Sequence, residues 1–75
     1  MRTISEIRDK FVEILRELMY EKGITKITFL ASETGIPRTT ISTWMSKKSV
    51  PQIDSLDKLA NYFNVTTDFL LGREN

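Results

Sequence analysis

The chain contains neither cysteine nor histidine in its 75 residues, and this double absence constrains its fold more than any other feature. Below roughly 80 residues a hydrophobic core supplies only about 3–5 kcal/mol, so small domains are usually stapled by disulfides or a structural metal. Neither staple can be built here from Cys or His. Stability must come from tight helix packing or from a partner subunit. The same absence excludes thiol catalysis and imidazole acid–base chemistry, so no enzyme is expected, and no metal or cofactor site. With 40% hydrophobic and 28% charged residues, the composition fits one small folded domain over 1–75 and not a disordered tail.

No apolar run approaches the roughly 18 residues of a membrane span, and the charged stretch Met1 to Lys10 lacks a signal peptide's apolar core. A soluble, cytoplasmic protein is expected. The length suits five helices and leaves no room for a sensor domain.

Apolar residues at Ile4, Ile7, Phe11, Ile14, Leu15 and Leu18 trace an amphipathic helix over about 4–22. Thr3 and Glu6 have capping-box spacing, and Gly23 suits the position beyond the helix end. A second helix is predicted over 26–34, capped by Thr25, with Ile27, Leu30 and Ala31 inward and Gly35 ending it. Ile41, Trp44 and Met45 give a third helix over 37–46. Ile53, Leu56, Leu59, Ala60 and Phe63 give a fourth over 53–63, with Asp54 and Asp57 at its positive N-terminal end and Asn64 stopping it. Thr66 or Thr67 caps a last short helix over 67–71. No period-two strand pattern appears, so the fold class is all-α.

Three residues including Gly35 join the second and third helices, as in a helix-turn-helix. With Ile41, Trp44 and Met45 inward, Arg38, Thr39, Ser42, Thr43 and Ser46 face outward. Exposed helix faces usually favour Glu, Lys and Gln, which are better helix formers than Ser and Thr. Short hydroxyl side chains instead let a helix approach a surface closely, and Ser, Thr and Arg can bond to base edges in a major groove. A plainly solvated polar surface is the alternative.

Charge distribution supports the first reading. Formal net charge is only +1, from eleven basic and ten acidic residues. Residues 34–53, however, contain Arg38, Lys47 and Lys48 and no acid, a local +3. The other 55 residues hold the remaining eight bases against all ten acids, a net −2. The small total conceals a basic region around the third helix.

Gly35-Ile36-Pro37-Arg38-Thr39-Thr40-Ile41-Ser42-Thr43-Trp44, followed by Lys47-Lys48, Pro51 and the stretch from Leu59 to Gly72, resembles the Cro and phage-repressor type of helix-turn-helix domain. The resemblance spans about Phe11 to Gly72. It implies a five-helix lambda-repressor-like DNA-binding domain whose third helix enters the major groove of double-stranded DNA. By position, Arg38, Thr39, Ser42 and Thr43 become base readers, and Lys26, Thr40, Ser46, Lys47 and Lys48 phosphate contacts. It further implies a nucleoid-associated homodimer, most simply a repressor, on half-sites about 34 Å apart.

The chain departs from that pattern in three places. Lys26, Ile27 and Thr28 stand where the family often begins its second helix with Gln. Pro37 replaces the usual Ser or Thr cap of the third helix. Met45 replaces a frequent acid that pairs with an Arg of the first helix, so apolar packing is expected there. Trp44 is assigned to packing rather than base stacking. Phe69, Leu70 and Leu71 either close the core or form a dimer contact. The competing class is a small protein-interaction module, antitoxin-like or adaptor, which exposed apolar residues at the C-terminal end would favour.

Overall fold

Thr3 opens the first helix through a reciprocal pair of bonds. Its Oγ1 accepts from the Glu6 backbone N–H at 3.2 Å, while Glu6 Oε1 accepts from the Thr3 N–H at 3.3 Å. Two orphan donors are satisfied at once. The computed structural model describes residues 2–73, and from this start α1 runs over Ile4–Glu21. Gly23, at φ 72°, ends it, with Ile24 N–H donating to Met19 O at 2.8 Å and Gly23 N–H to Tyr20 O at 3.0 Å. These are the two bonds of a Schellman stop, which needs a left-handed residue where a Cβ would be strained.

Helix α2 covers Ile27–Thr34, α3 Arg38–Met45, α4 Ile53–Phe63 and α5 Thr67–Leu70, and no strand occurs among the described residues. Thr66 caps α5 by accepting from the Phe69 N–H at 3.0 Å. Asn64, left-handed at φ 57°, stops α4.

Leu15, Leu30, Ile41, Leu59 and Leu70, one from each helix, are all wholly buried, so the five helices share one core. No polar or charged residue among those described is buried. The most extensive pairing is α2 on α3, while α1 packs on α3 and α5. Arg2 closes the domain by donating from Nη2 to Leu71 O at 2.9 Å, joining the start of the chain to the end of α5.

The structure corrects three expectations. Ile4 and Ile53, assigned to the inward stripes, are 71% and 86% exposed. Each is the first residue of its helix, where no neighbouring element lies over it. Thr25 does not cap α2; Lys26 takes that position without a capping side-chain bond. The Schellman stop and buried Ile24 carry the chain one residue further than the sequence pattern suggests. Asp57 lies beyond the first turn of α4, leaving Asp54 as its only acid there.

Tyr62 of α4 clamps α2 by donating its hydroxyl to Glu33 Oε1 at 3.4 Å, and Lys22 Nζ lies 4.3 Å from the ring centroid. Burial, and then the adjacent Glu33 carboxylate, push the Tyr62 phenol above its ordinary pKa of 10.0. Its contribution to stability is therefore complete below pH 10 and falls as pH rises through the higher native value. In a Tyr20→Phe background, phenolate absorbance should report this raised pKa, and Glu33→Gln should lower it. Trp44→Ala should cost about 3–5 kcal/mol, as much as the core of so small a domain supplies, leaving a largely unfolded chain by far-UV circular dichroism.

Candidate nucleic-acid interface

The turn between α2 and α3 is built from residues with little freedom. Thr34 Oγ1 donates to Leu30 O at 2.8 Å and accepts from the Ile36 N–H at 3.3 Å. Gly35 takes a left-handed conformation at φ 77°, which a side chain would oppose by roughly 1–2 kcal/mol. Ile36 is 2% exposed and pins the turn to the core. Pro37 then fixes φ at −56° and leads into α3 without a capping side chain.

Burial divides α3 into two faces. Ile41 and Trp44 enter the core, with Trp44 edge-on to Phe11 of α1 at 5.6 Å between ring centroids. Arg38, Thr39 and Ser42 are exposed on the other side, and Ser46, Lys47 and Lys48 are exposed just beyond the helix. The structure thus brings three of the four expected base readers and three of the five expected phosphate contacts onto open surface around one helix.

Thr40 and Thr43 are half-buried. The Thr43 hydroxyl donates to Thr40 O at 2.7 Å, and with its proton used there it accepts from Ser49 Oγ at 2.9 Å. That bond ties the loop after α3 back to the helix. Ser46 Oγ also turns inward, donating to Ser42 O at 3.1 Å and Thr43 O at 3.2 Å. Thr40 lines a cavity of about 300 Å³ that also contains Ser49, Asp54 and Lys58. Lys26 lines a different one, with Lys22, Gly23 and Phe29.

Among the described residues, the side chains of Arg38, Lys26 and Lys48 have no hydrogen-bond or ion-pair partner, so these cations are available to an external anion. Lys47 differs, because its Nζ lies 3.5 Å from Asp9 Oδ1 on α1. Sequence reading missed both Ser49 and Asp9. Asp9 carries no local signal, since it is 38 residues from Lys47 and meets it only through the packing of α1.

Met45 is half-buried against the core, as expected for the residue replacing an acid. It shares a groove of about 430 Å³ with Arg16, Met19 and Tyr20, and Arg16 has no ion-pair partner among the described residues. Leu70 is wholly buried and closes the core, with Phe69 and Leu71 half-buried beside it. No group of three metal-ligating side chains occurs among the described residues, and no described helix is long and apolar enough to cross a membrane.

A short, glycine-hinged turn leads into a helix with one buried and one acid-free face, and the family profile described as Cro/C1-type HTH DNA-binding domain matches residues 14–74. The chain belongs to that family. The Cro/C1-type assignment extends from the middle of α1 through α5 and so includes the whole helix-turn-helix.

Among similar proteins is the HTH-type transcriptional activator BcrR of Enterococcus faecalis, 38% identical over 65 residues, which cover 87% of this chain but 31% of the relative. Two uncharacterized HTH-type transcriptional regulators are each 36% identical over 69 residues and 87% of this chain. They are RP766 of Rickettsia prowazekii, matched over 74% of its length, and RC1195 of Rickettsia conorii, matched over 62%. The chain therefore spans under a third of the first relative. No solved structure matches it.

The Thr43–Ser49 bond positions the loop carrying Lys47 and Lys48, so its loss should be measurable in the free protein. Thr43→Val removes the hydroxyl at nearly constant volume and should cost about 1 kcal/mol. Urea denaturation should show a lower midpoint with an unchanged slope.

Proposed function

We propose that the chain is the DNA-reading part of a transcriptional regulator, with α3 in the major groove of an operator. The observation that carries this reading is the exposed face of Arg38, Thr39 and Ser42, acid-free and with a guanidinium that has no internal partner. Arg38 dominates specificity, because a bidentate Arg–guanine contact contributes about 1–3 kcal/mol of discrimination whereas a hydroxyl reads bases ambiguously. Thr39 and Ser42 fit the helix against neighbouring base edges. Thr43 supports the loop from the flank of the helix, its hydroxyl being engaged internally.

Lys47 and Lys48 bind phosphate at the end of α3. Lys26 does so from the start of α2, where it replaces a bracing side chain by simple charge. Thr40 and Ser46 are secondary phosphate contacts, each reaching the backbone only at the margin of the helix. So few contacts per protomer give weak binding to arbitrary duplex, and useful affinity comes from a homodimer on a near-palindromic site with half-sites about 34 Å apart.

Repression is the simplest outcome, since it requires only occupancy of the operator. The Enterococcus relative is named an activator, and the same DNA-reading face serves either sign of control. The protein-interaction alternative calls for exposed apolar residues at the C-terminal end; Leu70 is buried there and Phe69 and Leu71 are half-buried, which favours the DNA-reading role.

Selection from a random duplex library at fixed salt should enrich a near-palindromic motif, and absence of enrichment would count against the proposal. On the selected site, Arg38→Ala should weaken binding about 5- to 150-fold and relax preference at one base pair. Lys48→Ala should weaken every sequence alike and reduce the slope of log affinity against log salt by about 0.9. Unchanged operator affinity for Arg38→Ala would remove that residue from the reading set.

A further inference from the structure

Lys47 occupies a position that its own backbone disfavours. It ends α3 at φ 61°, with its N–H donating to Trp44 O at 2.9 Å and the Lys48 N–H to Thr43 O at 2.9 Å. Among the described residues only Lys47 and Asn64 adopt positive φ without being glycine. Asn tolerates this conformation through its short polar side chain, whereas Lys gains nothing comparable. A strained residue that keeps a long cationic side chain points to a use for the ammonium.

That ammonium stands 3.5 Å from Asp9 Oδ1, with the two side chains 51% and 52% exposed. An ion pair so open to water contributes little to folding. Its larger effect is electrostatic, because it sets a carboxylate beside a cation at the end of the recognition helix. The other cation near Asp9 does not neutralise it firmly. Arg8 Nε lies 3.9 Å away with no hydrogen-bond partner, and Arg8 Nη2 is directed to Ser5 Oγ at 3.4 Å.

We infer that Asp9 is an internal competitor for DNA phosphate: it holds Lys47 in the free protein and must be displaced when the loop meets the backbone of a duplex. The inference rests on the proposed DNA-reading role of α3. Asp9 thereby lowers affinity for every sequence alike and leaves base preference unchanged. It is a positioning residue acting through Lys47, and it makes no contact with bases.

Fluorescence anisotropy with the selected operator and a random duplex, over a series of KCl concentrations, tests this. Asp9→Asn should tighten binding to both duplexes about two- to five-fold. The slope of log affinity against log salt should stay near the wild-type value, because Lys47 meets phosphate in both proteins and only the cost of displacing Asp9 is removed. Asp9→Glu should restore wild-type behaviour. In a Lys47→Asn background, whose side chain tolerates the left-handed conformation, Asp9→Asn should have no further effect.

A gain that persists without Lys47 reflects general charge removal and overturns the inference, as does Asp9→Asn binding no tighter than wild type. Wild-type protein that binds no duplex at all overturns the proposed function and this inference together. Wild-type binding with an unaltered Asp9→Asn variant overturns the inference alone.

Discussion

The edge-to-face contact of Trp44 with Phe11, 5.6 Å between centroids and 84° between planes, holds α3 to the rest of the molecule. Helix α3 has only eight residues and no capping side chain, and a free helix of that length is not stable in water. It exists because Trp44 and Ile41 are buried, at 1% and 0% exposure, against α1 and α2. Everything on its outer face depends on that burial. Arg38 and Ser42 can be presented rigidly only because the opposite side of the same short helix is embedded in the core.

This division explains the unusual composition of the outer face. Ser and Thr are mediocre helix formers, and a solvated face would ordinarily carry Glu or Lys. Here their hydroxyls take two kinds of place. Thr43 and Ser46 turn back onto backbone carbonyls and shape the end of the helix and the loop behind it. Thr39 and Ser42 stay exposed beside Arg38, where small side chains allow a close approach. One stretch of polar sequence thus serves both the architecture of the loop and the exposed surface of the helix.

The five helices were legible because each carries its own apolar stripe and stop signal, and their ends fall within a residue of those expected. The errors have local causes. Ile4 and Ile53 share the helical periodicity of buried residues, but a first-turn position projects past the elements that would cover it. Thr25 has the chemistry of a cap and stands one residue early, because a Schellman stop continues through Ile24. Charge was only partly legible. Counting along the chain gave an acid-free segment, yet packing of α1 places Asp9 beside Lys47 and lining of the Thr40 cavity includes Asp54.

Residue order alone therefore settled the class of fold and the exposed, acid-free face of α3. Hydrophobic periodicity, capping chemistry and the glycine-hinged turn are properties of neighbours in sequence, which act within a few residues of one another. The tertiary structure decided which hydroxyls and cations remain available. Whether Lys47 is neutralised and whether Leu70 has any surface to offer depend on groups brought together across the chain. Such contacts arise from packing of whole helices, and local pattern carries no record of them.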